Sequence, residues 1–228
     1  MHEGHRDRVK KRFCQEGLDH FSDIQALELL LFYGIPRVDT NPIAHALLDR
    51  FGSLSQVLEA SPEELMKVPG VGENAALLLA LIPQMGRFYM VDRSSRVTIL
   101  QTLEQCANFL VPHFFGRKVE TVFILCLDAK CKLLCCKELG EGGPNSTGVS
   151  IRKIVETAIG VNAATVVLAH NHPSGLAVPS AEDIQTTRRI AHALQAVEIT
   201  LADHIIVADG DYVSIAMSDD RFRDCLLI

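Results

Sequence analysis

Two imidazoles one residue apart, His170 and His172, followed eleven positions later by the carboxylate of Asp183, are three side chains suited to one divalent cation. Two histidines and one carboxylate make the ligand set of an open zinc site, in which water fills the fourth position. The residues before the pair, Ala164-Thr165-Val166-Val167-Leu168-Ala169, form an apolar, β-branched run that reads as a buried strand ending at His170. Side chains alternate along a strand, so an extended backbone through His172 turns both imidazoles to the same side. Pro173-Ser174-Gly175 then bends the chain. Pro179-Ser180-Ala181-Glu182-Asp183 opens a helix, with Ser180 as its N-cap and Asp183 on its first turn. A helix start facing a strand end can carry Asp183 to the imidazoles. Ser-x-x-Asp alone is only a capping box and a lone histidine is usually structural; the combination is what points to a metal.

Other constellations fail on spacing. A nucleobase deaminase needs His-x-Glu with a later Pro-Cys-x-x-Cys, and neither occurs. His2-Glu3-Gly4-His5 is one residue short of the zincin His-Glu-x-x-His, so its imidazoles do not fall at i and i+4 of a helix. There is no phosphate-binding Walker loop, serine elbow or dinucleotide glycine pattern. The seven cysteines are scattered and include no Cys-x-x-Cys. Cys131, Cys135 and Cys136 are expected as small hydrophobes on a strand, reduced like the rest.

The elements that must position these residues divide near the polar stretch Val91-Asp92-Arg93-Ser94-Ser95-Arg96. Residues 1–96 carry only helical signals. Ser22 caps a leucine-rich helix that stops at Gly34 and Pro36; Asn41-Pro42 starts another that ends at Phe51-Gly52; Ser61-Pro62-Glu63-Glu64 is a capping box. Residues 97–228 alternate strands and helices, the pattern of a layered α/β domain. A strand over Val119–Leu127 turns at Asp128-Ala129-Lys130 and returns over Lys132–Lys137. The glycine-rich stretch 140–145 is expected as a long loop. A helix over Ile151–Ile159, the strand into His170, a helix from Ser180 to Val197, a strand over Ile199–Ala208 and a last strand over Tyr212–Ala216 complete the domain.

The spacing His-x-His, seven residues, then Ser-x-x-Asp is matched without a gap by His170 to Asp183, and it closely resembles the JAMM (MPN-plus) metalloprotease signature. The wording His170-Asn171-His172-Pro173-Ser174-Gly175, with Asp203-His204-Ile205-Ile206-Val207 and Tyr212-Val213-Ser214 downstream, resembles the bacterial RadC family. That resemblance implies a mixed, curved sheet with flanking helices, similar to the cytidine-deaminase-like fold, behind a small all-α domain. It implies a zinc-dependent metallopeptidase that hydrolyses a peptide or isopeptide amide, with His170, His172 and Asp183 on zinc. JAMM enzymes take their general base from a glutamate near the start of an earlier strand, which is the place of Glu120; Glu138 and Glu141 are its rivals. Ser180 is expected to donate to the developing oxyanion, and His204 to support a ligand rather than be one. At Ile151-Arg152-Lys153 the chain departs from the family's Pro-Arg-Glu run, so no loop carboxylate carries over there. The rival reading is a non-catalytic, DNA-repair-associated protein in which the metal is structural.

Within 1–96, Val68-Pro69-Gly70-Val71-Gly72 ahead of Ala75-Ala76-Leu77-Leu78 resembles a helix-hairpin-helix, in which Gly70 and Gly72 would present amides to a nucleic-acid phosphate. The same glycines serve equally to join two packed helices. The charge speaks for weak, non-specific DNA binding at most: −6 overall, with eleven Lys and Arg against thirteen Asp and Glu in residues 1–96. The basic cluster Arg6, Arg8, Lys10, Lys11 and Arg12 could line one helix face. A hydrophobic content of 48% suffices for packed cores without disulfides. The longest apolar run, Ala75–Ile82, is too short to span a bilayer, and the charged N-terminus has no signal segment, so a cytoplasmic location is expected.

Overall fold

The computed structural model describes residues 3–94, 99–144 and 149–218. The chain forms two compact units, residues 1–86 and 87–228. The division falls before the polar stretch at 91–96, within the continuous helix Glu73–Ser94. Residues 95–98, within and just after that stretch, lie outside the described residues.

The first unit is all helical: α1 (Glu3–Glu16), α2 (Asp23–Gly34), α3 (Asn41–Phe51), α4 (Leu54–Glu59), α5 (Pro62–Leu65) and the first part of α6 (Glu73–Ser94). Ser22 and Gln25 complete a reciprocal capping box at α2, and Pro42 stands in the first turn of α3. Ser61 caps α5, but the Glu64 carboxylate turns to Arg50 and Lys67. Leu27, Leu31, Leu47, Leu65 and Leu79 share a fully buried core with Ile43 and Val57. Gly70 has φ +89°, and a Cβ there would lie 2.8 Å from Ile43 Cδ1, so this glycine lets the chain turn closely over the core. The basic cluster of α1 is partly engaged in holding the unit together. Arg6 donates to the carbonyls of Ile35 (2.8 Å), Phe32 and Val38, and Arg12 to that of His20 (2.7 Å). Arg8 and Lys11 are exposed.

The second unit is a mixed sheet in the order β2-β1-β3-β4-β5, from β1 (Thr121–Leu127), β2 (Leu133–Glu141), β3 (Thr165–Asn171), β4 (Thr200–Ala208) and β5 (Asp211–Ser214). β3 and β4 run parallel and the other neighbours antiparallel. α8 (Ile151–Gly160) and α9 (Ala181–Gln195) cover one face, meeting Val122, Ile124, Val166, Leu168 and Ile206. α7 (Leu103–Leu110), continued by a 3-10 turn over Val111–Phe114, covers the other, meeting Phe123, Leu125, Val167, Ile205 and Val207. Every residue of β1 is buried, because each side chain faces one helical layer or the other.

Some elements depart from expectation. β2 continues through Glu141, into the stretch expected to be loop, and residue 145 of that stretch, with 146–148 after it, lies outside the described residues. The last strand is shorter than Tyr212–Ala216: the chain turns into α10 (Ile215–Ser218), whose Ala216 amide donates to the Asp203 carboxylate at 3.0 Å. Cys135 and Cys136 lie on β2, whereas Cys131 sits in the preceding turn with φ +59°. Burial pushes the Cys126 and Cys136 thiols up to about 12, so they behave as inert apolar groups. Among the described residues no helix is long and apolar enough to cross a membrane.

Candidate metal centre

Glu120 and His170 come to one place because β1 and β3 are antiparallel with Val122 opposite His170. Continuing that register sets Glu120 beside His172, and side chains of this parity face α8 and α9. His170 Nε2 lies 3.0 Å from His172 Nε2 and 3.7 Å from Glu120 Oε1. Ligand atoms of Glu120, His170 and His172 all fall within 4.8 Å of one another. Asn171, between the two histidines, points the other way and is buried. Its Oδ1 accepts from Thr121 N at 2.8 Å and its Nδ2 donates to Val119 O at 3.2 Å, which fixes the backbone on both sides of Glu120.

The start of α9 supplies the second carboxylate. Ser180 Oγ accepts from Asp183 N at 3.0 Å, and Asp183 Oδ2 accepts from Ser180 N at 2.8 Å, a reciprocal capping box. From that position Asp183 Oδ1 reaches to 3.3 Å from His170 Nε2, and Oδ2 to 3.6 Å from His172 Nε2. Burial raises the Asp183 carboxyl, but the adjacent His170 ring and the two hydrogen bonds from Ser180 overcome it and hold the group well below the usual carboxylate range. The hydroxyl proton of Ser180 is directed at Asp183 Oδ2, 2.6 Å away. Its lone pair serves the helix amide, so the cap leaves the proton free, and the carboxylate takes it.

Each imidazole is anchored through its other nitrogen. His172 Nδ1 is 3.1 Å from Leu176 O, and since a carbonyl only accepts, Nδ1 carries the hydrogen and Nε2 of the neutral ring keeps its lone pair. His170 Nδ1 is 2.8 Å from Nε2 of His204, a fully buried residue of β4. His204 Nδ1 meets Thr187 Oγ1 at 2.6 Å, and that hydroxyl donates to Asp183 O at 2.6 Å. Burial, reinforced by His170, drives the His204 imidazole well below its ordinary value and leaves it neutral. His204 thus meets the His170 ring from behind and stands outside the converging group.

The arrangement suits a divalent cation on its donor chemistry. Two imidazole nitrogens and one carboxylate, 3.0–3.6 Å from one another, approximate the edges of one face of a ligand tetrahedron. Ligands at ~2.0–2.1 Å from zinc stand about 3.3 Å from one another. Lone pairs this close repel unless a cation lies among them. Beside the group is a cavity of about 540 Å³ lined by Glu120, Gly143, Pro144, His172, Ser180 and Asp183, among others.

The structure therefore brings together His170, His172, Asp183, Ser180 and Glu120. Of the two rival glutamates, Glu138 is held by Arg117 Nη2 at 2.7 Å, and Glu141 pairs with Thr121 at the strand edge. Asn171, Thr187 and Gly143 were not singled out from the sequence, since nothing in their types or spacing marks them as site residues. Residues 100–220 match the family described as RadC-like JAB domain. The chain belongs to the RadC-like JAB family. Residues 3–77 match the family described as UPF0758 N-terminal. A UPF0758 protein of Paraburkholderia xenovorans is 33% identical over 210 residues, covering 92% of this chain and 83% of that relative. One of Fusobacterium nucleatum is 32% identical over 219 residues, covering 93% of this chain and 94% of the relative. The RadC-like JAB region contains every side chain of the candidate metal centre. Its mixed sheet and flanking helices are those that the resemblance implied.

Proposed function

We propose that this chain is a zinc-dependent metallopeptidase of JAMM type, which hydrolyses an amide in a peptide or protein. The observation that carries the proposal is the convergence of His170 Nε2, His172 Nε2 and the Asp183 carboxylate, with Glu120 alongside, at the wall of an open cavity. His170, His172 and Asp183 would hold the ion. A divalent ion held there acts as a Lewis acid and lowers the pKa of a water to about 7. Glu120, only partly buried and facing the cavity, takes the proton from the attacking water. It delivers that proton to the amine as the C–N bond breaks, so that acid and amine leave in balance. Ser180 donates to the developing oxyanion once its proton is released from Asp183 Oδ2, a contact worth about 3 kcal/mol in comparable sites. A cavity of this size accepts a few residues of an extended chain.

Two measurements on the full chain test this. Purified protein is expected to carry close to one zinc per chain, and the His170→Ala, His172→Ala double variant to carry none. Full metal content in that double variant removes the site from consideration. In a peptide-library cleavage assay, Glu120→Gln is expected to keep its zinc and lose roughly 100-fold or more in rate. Unchanged cleavage by Glu120→Gln, with loss in Glu138→Gln or Glu141→Gln, overturns the assignment of the base.

A further inference from the structure

We propose that His204 and Thr187 form a directed hydrogen-bond relay that holds His170 in its metal-binding tautomer and ties it to the helix that carries Asp183. The inference rests on the metal reading above and deepens it, by naming positioning residues that lie outside the ligand set.

The direction follows from counting protons. The Asp183 carbonyl can only accept, so Thr187 Oγ1, 2.6 Å away, spends its single proton there. With that proton committed, Thr187 Oγ1 can only accept from its other neighbour, His204 Nδ1 at 2.6 Å. His204 Nδ1 therefore carries the hydrogen. A ring with its one hydrogen on Nδ1 has a lone pair at Nε2, which accepts from His170 Nδ1 at 2.8 Å. His170 in turn carries its hydrogen on Nδ1, and its Nε2 lone pair faces His172 and Asp183. Every donor in the chain has an acceptor, and every link is buried: His170, His204 and Thr187 are each 0% exposed. No water competes for these partners, so the order of protons is set by the fold rather than by solvent.

The relay also joins three elements. It starts on β3 at His170, crosses β4 at His204, and ends on α9, on the backbone of the residue whose carboxylate faces His170. The two ligands from different elements thus have their separation held through a second, buried route.

A bulge makes this possible. In the β3–β4 pairing Val166 stands opposite Leu201, but Val167 opposite Asp203, which leaves Ala202 as an extra residue. Leu201 packs against the α8 and α9 layer, while Ala202, Ile205 and Val207 belong with α7. The extra residue reverses the alternation, and His204, opposite Leu168, is turned to the face that carries His170. In an unbroken strand His204 would face α7.

The test uses the full chain and zinc, with a chromophoric chelator as competitor. Thr187→Val keeps the shape of the side chain and removes the hydroxyl; its zinc affinity is expected to fall 10–100-fold. Thr187→Ser restores the hydroxyl and is expected to bind within a few-fold of the wild type. Nitrogen-15 imidazole shifts of the wild-type protein are expected to show His170 and His204 both as Nδ1–H tautomers, a readout that a purely structural threonine would not determine and that requires no variant. If wild type takes up no zinc, the metal reading fails and the relay falls with it. If wild type binds zinc and folded Thr187→Val binds it as tightly, or if His204 proves to be the Nε2–H tautomer, the relay alone is overturned.

Discussion

Gly143 offers a direct way to perturb the proposed base without touching a metal ligand. Its φ is not in the left-handed region, so alanine fits the backbone there. An added Cβ would lie 2.7 Å from Glu120 Oε1 and 3.2 Å from both Cδ and Oε2, and these are its three nearest atoms. Ordinary contact begins at 3.4 Å, so the carboxylate must retreat by about 0.7 Å. A misplacement approaching 1 Å costs about 100-fold in comparable sites. The expected loss for Gly143→Ala is therefore roughly 10–100-fold in kcat, or about 1.4–2.7 kcal/mol of transition-state stabilisation. Zinc content should stay at the wild-type level. The decisive assay is a double-mutant cycle on any peptide that the library identifies, read under single-turnover conditions. If alanine acts by displacing the base, it has little left to remove once Glu120→Gln is present, and the two losses are strongly non-additive. The reasoning is refuted if Gly143→Ala slows the Glu120→Gln protein as much as it slows the wild type.

Asp203 is fully buried, with Oδ1 accepting from the His204 and Ala216 amides and Oδ2 without a partner among the described residues; burial raises its carboxyl above the ordinary value. A raised folded-state value means that its contribution to stability is complete below the unfolded value of about 3.9 and is lost as pH rises through the folded one. Asp203→Asn should remove that loss, so its urea midpoint relative to wild type should improve from pH 4 to pH 8, and a constant difference would refute the assignment. In the helical unit, Gly70→Ala places a side chain at φ +89° against Ile43 and is expected to destabilise by about 1–3 kcal/mol. Gly72→Ala, with nothing within 4 Å of its new Cβ, should stay within about 0.5 kcal/mol by chemical denaturation. Equal effects at the two glycines would show that Gly70 is not the structural one.

The candidate metal centre was legible because the residues proposed to hold the ion are local in sequence. A strand period of two sets His170 and His172 on one side, and a capping box sets Asp183 on the first turn of the next helix; both are short-range rules. Glu120 needed a known family as a guide, because only the β1–β3 register brings it near. His204 illustrates the limit. Strand alternation, applied without the extra residue at Ala202, sends its ring to the wrong face, and a bulge leaves no mark in a run as apolar as Ile205-Ile206-Val207. Thr187 and Asn171 act by hydrogen bonds to partners from other elements, 17 and 50 residues away, which no spacing encodes. α7 is a different kind of omission. Its Thr102 and Gln105 form a reciprocal capping box that is readable in Thr102-Leu103-Glu104-Gln105, ahead of a short amphipathic run.

The parallel pairing of β3 with β4 bears on when, during folding, the site can exist. β1 and β2 meet through a short turn, but β3 and β4 must wait for the whole of α9 to cross between them. Such non-local closures come late and slowly. His170, His172 and Asp183 lie at β3's end and α9's start, but the buried partner of His170, His204, lies on β4 and arrives only when the crossover closes. A metal ion bound at the proposed centre would find His170 supported in this way only in chains that have completed the crossover. By mass action it would then hold them there, adding about 2.7 kcal/mol at a hundredfold excess over its dissociation constant. A metal ion bound there would thus favour finished molecules over partly assembled ones.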